Sequence, residues 1–189
     1  ENRVMCGRFV QAHDAAFYAD AFAVETIRTE ILPVSYNVAP TDQIYAVAEH
    51  DGARLLTSFR WGLIPWWAKD RKIGARHINA RAETVAEKPA FRDSFAGRRC
   101  LIPADGFYEW QRRPKGKLPH YIYAVDEKPL AFAGLFATGV LDSDGTDPAA
   151  ALEGDTTETT TGEDQAFPAA RGQGSQQDAE ADHGSAPEV

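Results

Sequence analysis

Cysteine is nearly absent from this chain of 189 residues, which has only Cys6 and Cys100. A disulfide framework of the kind that staples small secreted domains is therefore excluded. Long hydrophobic runs are missing too: nothing approaches the roughly 18–20 apolar residues of a membrane-spanning helix. The opening residues ENRVMCGR show no basic segment leading into an apolar one, so no signal peptide is read there and a cytoplasmic protein is expected, with no membrane partner. Metal-ligand spacing is lacking as well. His13, His50, His77, His120 and His183 are scattered and the two cysteines lie far apart, so neither a metal nor another cofactor is expected.

Positive charge is scarce at one end only. Overall there are 28 Asp+Glu against 20 Lys+Arg, a net of −8. Residues 140–189 hold 12 acids and a single base, Arg171, leaving 16 acids and 19 bases, a net of +3, for residues 1–139. The acidic stretch has one aromatic, Phe167, and few branched aliphatics, too little apolar surface to offset roughly 1–2 kcal/mol per residue of backbone ordering. A disordered acidic tail over 140–189 is expected, preceded by a domain over 6–139 and by a leader or mis-assigned start over 1–5.

Within that domain, Asp14–Val24 reads as a short helix with Asp14 as its cap, and Pro89–Phe95 as a second with proline at its first position. The remainder alternates short apolar runs with turn signals: Gln43–Glu49 and Arg54–Trp61 around Asp51–Gly52, then Arg99–Pro103, Phe107–Arg112, His120–Val125 and Leu130–Phe136. The expected fold is α+β, mainly antiparallel sheet with a few short helices.

Residues 60–117 carry 14 Lys/Arg, 6 Asp/Glu and all four tryptophans, at 61, 66, 67 and 110. Bases interleaved with aromatics suit single-stranded nucleic acid, where cations neutralise phosphates and rings stack on bases; the competing reading is a tryptophan core with a solvated basic rim. Trp61, in an alternating run, reads as core, whereas Trp66 and Trp67 after Pro65 are hard to bury together. Cys100, in the apolar RRCLIP run, reads as a buried, inert thiol. Cys6 follows Met5, the only methionine. Translation from Met5 and removal of that residue would leave a cysteine with a free α-amine beside its thiol, able to condense with an aldehyde and close a thiazolidine ring; the alternative is an ordinary small residue in a first strand. In HINARAET, residues 77–84, Asn79, Arg81 and Glu83 could share a strand face. In GFYEW, Glu109 lies between aromatics, where a desolvated carboxyl could shuttle protons; the alternative is a surface glutamate on an edge strand.

Taken together, Met5–Phe9 (MCGRF), Tyr36–Pro40 (YNVAP), Arg60–Trp67 (RWGLIPWW), Ile78–Thr84 (INARAET) and Arg99–Trp110 (RCLIPADGFYEW) resemble, in order and spacing, the SOS response-associated peptidase family, also called abasic site processing proteins. The resemblance covers about residues 5–137. It implies an open-barrel α+β fold with a basic groove for single-stranded DNA, and a covalent link between an N-terminal cysteine and the ring-opened sugar aldehyde of an abasic site. Residue by residue, it implies Cys6 as nucleophile, Asn79 as the group orienting the cysteine amine and the sugar, and Glu109 as the group assisting ring opening and Schiff-base proton transfers. Arg8 and Arg81 match DNA-contacting arginines; Pro40, Trp66 and Trp67 match the groove and its base-contacting wall. A monomer acting on single-stranded DNA with abasic sites, without cofactor, is the expectation, with self-removal of the residues before Cys6 as its peptidase activity.

The family's further histidine motif, of the type H-x-R-M-P, has no match, and His183 has none of its neighbours. A change of reading frame or a truncated gene, with the resemblance lost after Leu135, is the reading of that departure. Two competing functions follow: a single-strand binder without catalysis, as a degenerate family copy, and a cysteine peptidase acting on other proteins.

Overall fold

Five consecutive buried residues, Ile44 to Ala48, mark the strand at the middle of the fold. The computed structural model describes residues 7–138; Cys6 and the acidic stretch 140–189 lie outside the described residues. One sheet has the order β3-β1-β7-β8, with β1 (Phe9–Gln11), β3 (Ser35–Val38), β7 (Gly106–Arg112) and β8 (Lys117–Ile122). The other has the order β2-β5-β4-β6-β9, with β2 (Thr26–Ile27), β4 (Gln43–His50), β5 (Ala53–Arg60), β6 (Arg99–Ala104) and β9 (Leu130–Leu135). All pairs are antiparallel except β2 with β5. Helices α1 (Ala15–Ala21) and α2 (Arg92–Gly97) and a 3-10 helix at Arg71–Arg76 complete the described fold, which is the expected α+β type dominated by antiparallel strands. Among the described residues no helix is long and apolar enough to cross a membrane.

Alternation along β4 divides the core. Tyr45 and Val47 face α1, packing with Ala15, Tyr18 and Leu56. Ala46 and Ala48 pack on the other face with Leu55, Phe59, Cys100 and Phe136. Ile44, also on that face, joins Phe9, Val38, Trp61 and Ala104 in a cluster that ties the two sheets together. The β4–β5 hairpin turns at Asp51 and Gly52, whose φ values of 51° and 77° supply the two left-handed residues of a two-residue hairpin loop. Asp14 caps α1 by accepting from Phe17 N at 2.8 Å.

Buried Gln11 joins the sheets by hydrogen bonding. Its Nε2 donates to Tyr45 O (3.1 Å) and Pro103 O (2.8 Å), while its Oε1 accepts from Tyr45 N (3.0 Å). One side-chain amide thus satisfies backbone groups of β4 and β6, whose direct pairing covers only Val47↔Leu101 and Ala48↔Cys100.

Three sequence expectations need correction. Residues 77–84 form no strand; after two backbone anchors the segment folds into turns, with Thr84 N donating to Arg81 O at 3.1 Å, so Asn79, Arg81 and Glu83 share no strand face. The second helix starts at Arg92 rather than Pro89, because Phe91 N donates to Lys88 O (2.9 Å) and holds Pro89 within a turn. The eighth strand runs Lys117–Ile122 rather than His120–Val125, because pairing begins at Arg112↔Lys117, directly after a turn closed by Arg113 N donating to Gly116 O.

Candidate functional site

The described chain begins with Gly7 and Arg8, which lead into β1 between β3 and β7. Phe9 stands opposite Phe107 and Val38, and Tyr108 N donates to Arg8 O at 3.0 Å. Arg8 Nη1 donates to Asn37 Oδ1 at 3.1 Å, and Tyr108 Oη donates to Tyr36 O at 3.1 Å. The arginine is therefore steered from both flanking strands. Continued two residues outward, past Arg8 and Tyr108, the β1–β7 register brings Gly7 toward Glu109. Glu109 lies two residues beyond Phe107 and so on the same face of β7, the face by which Phe107 packs on the cluster around Phe9 and Trp61. Its Oε1 is shut off from solvent and has no hydrogen-bond partner among the described residues.

A second anchor holds Asn79. Trp61 is 8% exposed, and its Nε1 donates to Ile78 O at 2.8 Å. Leu63 N donates to His77 O (3.1 Å), and the His77 ring returns a bond from Nδ1 to Leu63 O (3.3 Å). Close approach of two glycines makes this stitching possible. Gly62 has φ 129°, and a Cβ there would lie 2.6 Å from Gly74 O. Any side chain at Gly62 would push the 3-10 helix, and the Asn79 segment behind it, off this edge. Ile78 packs on the Phe9–Trp61 cluster, so Phe9 after Arg8, Ile78 before Asn79 and Phe107 two residues before Glu109 share one apolar support.

Pro40 belongs to the same surroundings. Its turn is fastened to the Trp61 backbone by Thr41 N donating to Trp61 O and Trp61 N donating to Asp42 O, both at 2.8 Å. Past Trp61, Ile64 and Pro65 are buried, and the turn closed by Ala68 N donating to Pro65 O (2.9 Å) presents Trp66 and Trp67 outward, 72% and 44% exposed. The two rings flank a cleft that Pro89, Ser94 and Arg98 also line. Arg81 is exposed on the loop that follows Asn79. The division of the tryptophans read from sequence holds for these three: Trp61 is core, Trp66 and Trp67 are surface.

Cys100 packs in the Phe59–Phe136 cluster, and burial pushes its thiol from an ordinary 9.0 up to about 12, which removes it as a nucleophile. Among the described residues no group of three His, Cys, Asp or Glu gathers as a metal site. Sequence reasoning missed Asn37 and the anchoring role of the Trp61 indole. It also missed an aromatic row on β7–β8, where Tyr108 lies 5.2 Å from Tyr121 and Tyr121 stacks on Tyr123 at 5.4 Å. The alternation of Tyr108 and Trp110 was a signal for that row, but which residues of β8 oppose them depends on the hairpin register.

Comparison with known proteins meets this geometry from outside. Residues 5–161 match the family described as SOS response associated peptidase (SRAP). The abasic site processing protein YoqW of Bacillus subtilis (strain 168) is 46% identical over 134 residues, covering 70% of this chain and 60% of that protein. The abasic site processing protein YedK of Escherichia coli (strain K12) is 34% identical over 140 residues, covering 71% and 60% respectively. The chain thus spans about 60% of the length of these relatives. A crystal structure of a Bacteroides thetaiotaomicron protein superimposes with a TM-score of 0.62 at 27% identity, over 75% of this chain and 64% of that one. By its five ordered motifs, its two-sheet fold and this match over most of its length, the chain belongs to the SOS response-associated peptidase family.

Proposed function

We propose that this protein binds single-stranded DNA and traps abasic sites as a covalent adduct of Cys6, working as a monomer in the cytoplasm. The α-amine of an N-terminal Cys6 condenses with the ring-opened sugar aldehyde and water leaves. The thiol sulfur then adds to the imine carbon while its proton passes to the imine nitrogen, closing a thiazolidine. Glu109 moves the protons of ring opening and imine formation, and Asn79 orients amine and sugar. Arg8 and Arg81 hold phosphates, with Pro40, Trp66 and Trp67 as the groove and its stacking wall. Residues before Cys6 must be removed first, by initiation at Met5 and its trimming or by self-cleavage, because an acylated nitrogen forms no imine. The similarity to YoqW and YedK, which are abasic site processing proteins, favours this substrate.

The observation that carries the reading is the carboxyl oxygen Oε1 of Glu109, solvent-shielded and without a partner among the described residues, on the strand beside the start of β1. A carboxyl oxygen that the described fold does not use is free to engage a reactant. The test uses protein translated from Met5 and a single-stranded oligonucleotide bearing one abasic site. A band shift that resists heat and dodecyl sulfate is expected, abolished by Cys6→Ala and weakened by Asn79→Ala. Reversible binding alone would instead establish a plain single-strand binder, and cleavage of an added protein substrate a general peptidase.

A further inference from the structure

Glu109 faces His120 directly across the β7–β8 pair, and the two side chains emerge on the same face of the sheet. Directly opposed residues have Cβ atoms about 4.5–5.5 Å apart; no hydrogen bond joins the two side chains among the described residues, and one water can bridge them. Their surroundings differ sharply: Glu109 Oε1 is closed to solvent and has no partner among the described residues, whereas His120 is exposed on the edge strand.

The protonation pattern of the imidazole is fixed by its neighbours. Arg113 donates to Gln111 Oε1 from Nε (3.4 Å) and Nη2 (3.2 Å), and a guanidinium has no acceptor, so this oxygen is accepting. The same oxygen lies 3.3 Å from His120 Nε2, which must therefore carry hydrogen. In the neutral ring Nδ1 is then the free base. Gln111 lies on the same face of β7 as Glu109, so the ring is held at one end by an amide while its basic nitrogen stays available.

We propose that His120 is the proton relay between Glu109 and bulk water, a residue that acts through Glu109 and not on the sugar itself. This rests on the proposed function, in which Glu109 takes a proton from the reacting sugar hydroxyl. The neutral carboxyl passes that proton through a bridging water to His120 Nδ1, giving carboxylate and imidazolium. The imidazolium, exposed at the sheet edge, then loses one proton to water. Glu109 is thereby returned to its basic form, and the reverse sequence delivers a proton when one is needed. Gln111, held by Arg113, is the positioning residue for the ring.

The experiment is single-turnover adduct formation on an abasic oligonucleotide by full-length protein translated from Met5. His120→Gln is expected to slow the reaction about tenfold or more with unchanged oligonucleotide affinity and an unchanged melting temperature. Added imidazole restores the rate of His120→Gln in a concentration-dependent way and leaves Glu109→Gln unaffected; in the Glu109→Gln background, His120→Gln adds nothing further. An unchanged rate for His120→Gln, or a loss that imidazole does not relieve, overturns the relay while leaving the adduct chemistry standing. Failure of the wild-type protein to form any adduct overturns the underlying reading instead, so the two failures are distinguishable.

Discussion

Trp61 Nε1 donates to the Ile78 carbonyl at 2.8 Å, so a ring in the inter-sheet core holds the backbone just ahead of Asn79. Trp61→Phe keeps an aromatic in the cluster but leaves a carbonyl without its donor, at a cost of about 1–3 kcal/mol. Denaturant unfolding should show that loss. Adduct formation should slow more than oligonucleotide affinity falls, since the slack is introduced at Asn79 and not at the stacking wall. Equal losses in rate and affinity would separate Trp61 from Asn79.

Exposure of Trp66 and Trp67 makes them separable from stability. Alanine at either should weaken binding of undamaged single-stranded DNA by about 1–3 kcal/mol, the range for one base stacked on one ring. The melting temperature should hardly move, because neither ring belongs to a buried cluster of the described residues. Fluorescence titration and a thermal melt on the same preparation check both halves.

The corner between β6 and β7, where the chain passes from one sheet to the other, is held by Asp105. Its Oδ2 accepts from Ala12 N (2.6 Å) and Tyr18 Oη (2.8 Å), and its Oδ1 lies 2.9 Å from His13 Nδ1. The Tyr18 phenol is held above its ordinary pKa by burial and then by this carboxylate. Asp105→Ala strands two buried or half-buried donors and should cost about 2–3 kcal/mol, read as a shift in the urea midpoint with an unchanged slope.

Burial of Cys100 gives a signature at alkaline pH. Its folded-state pKa of about 12 lies above the ordinary 9.0, so the folded protein holds the thiol proton more tightly than the unfolded chain. That contribution is complete below pH 9 and is lost as pH rises from 9 towards 12. The stability difference between wild type and Cys100→Ala should therefore shrink across this window, measured by denaturant unfolding at each pH. In the native state Cys100 should resist thiol reagents that label it at once in urea.

How much was legible before the structure depended on how local the cause was. Asp14 announces a cap, Asp51–Gly52 a hairpin loop, and the alternation in Gln43–His50 and Ala53–Arg60 two strands, because each signal lies within a few residues of its effect. The short strands β1, β2 and β3 carry no such pattern; their partners Phe107, Leu55 and Phe9 lie far along the chain. Residues 77–84 alternate like a strand but pair with none, because Trp61 and Leu63 take up the carbonyls at their start.

The ordered motifs by themselves determined the family, which side chains carry charge and aromatic surface, and the division of the chain into a basic part and an acidic tail. Only the tertiary structure decided that Glu109 faces His120, that Arg8 is steered by Asn37 and that Asn79 hangs from Trp61. The reason is physical: these relations depend on strand register and on contacts between residues 11 to 29 positions apart, and such contacts exist only once the inter-sheet core has brought the segments together.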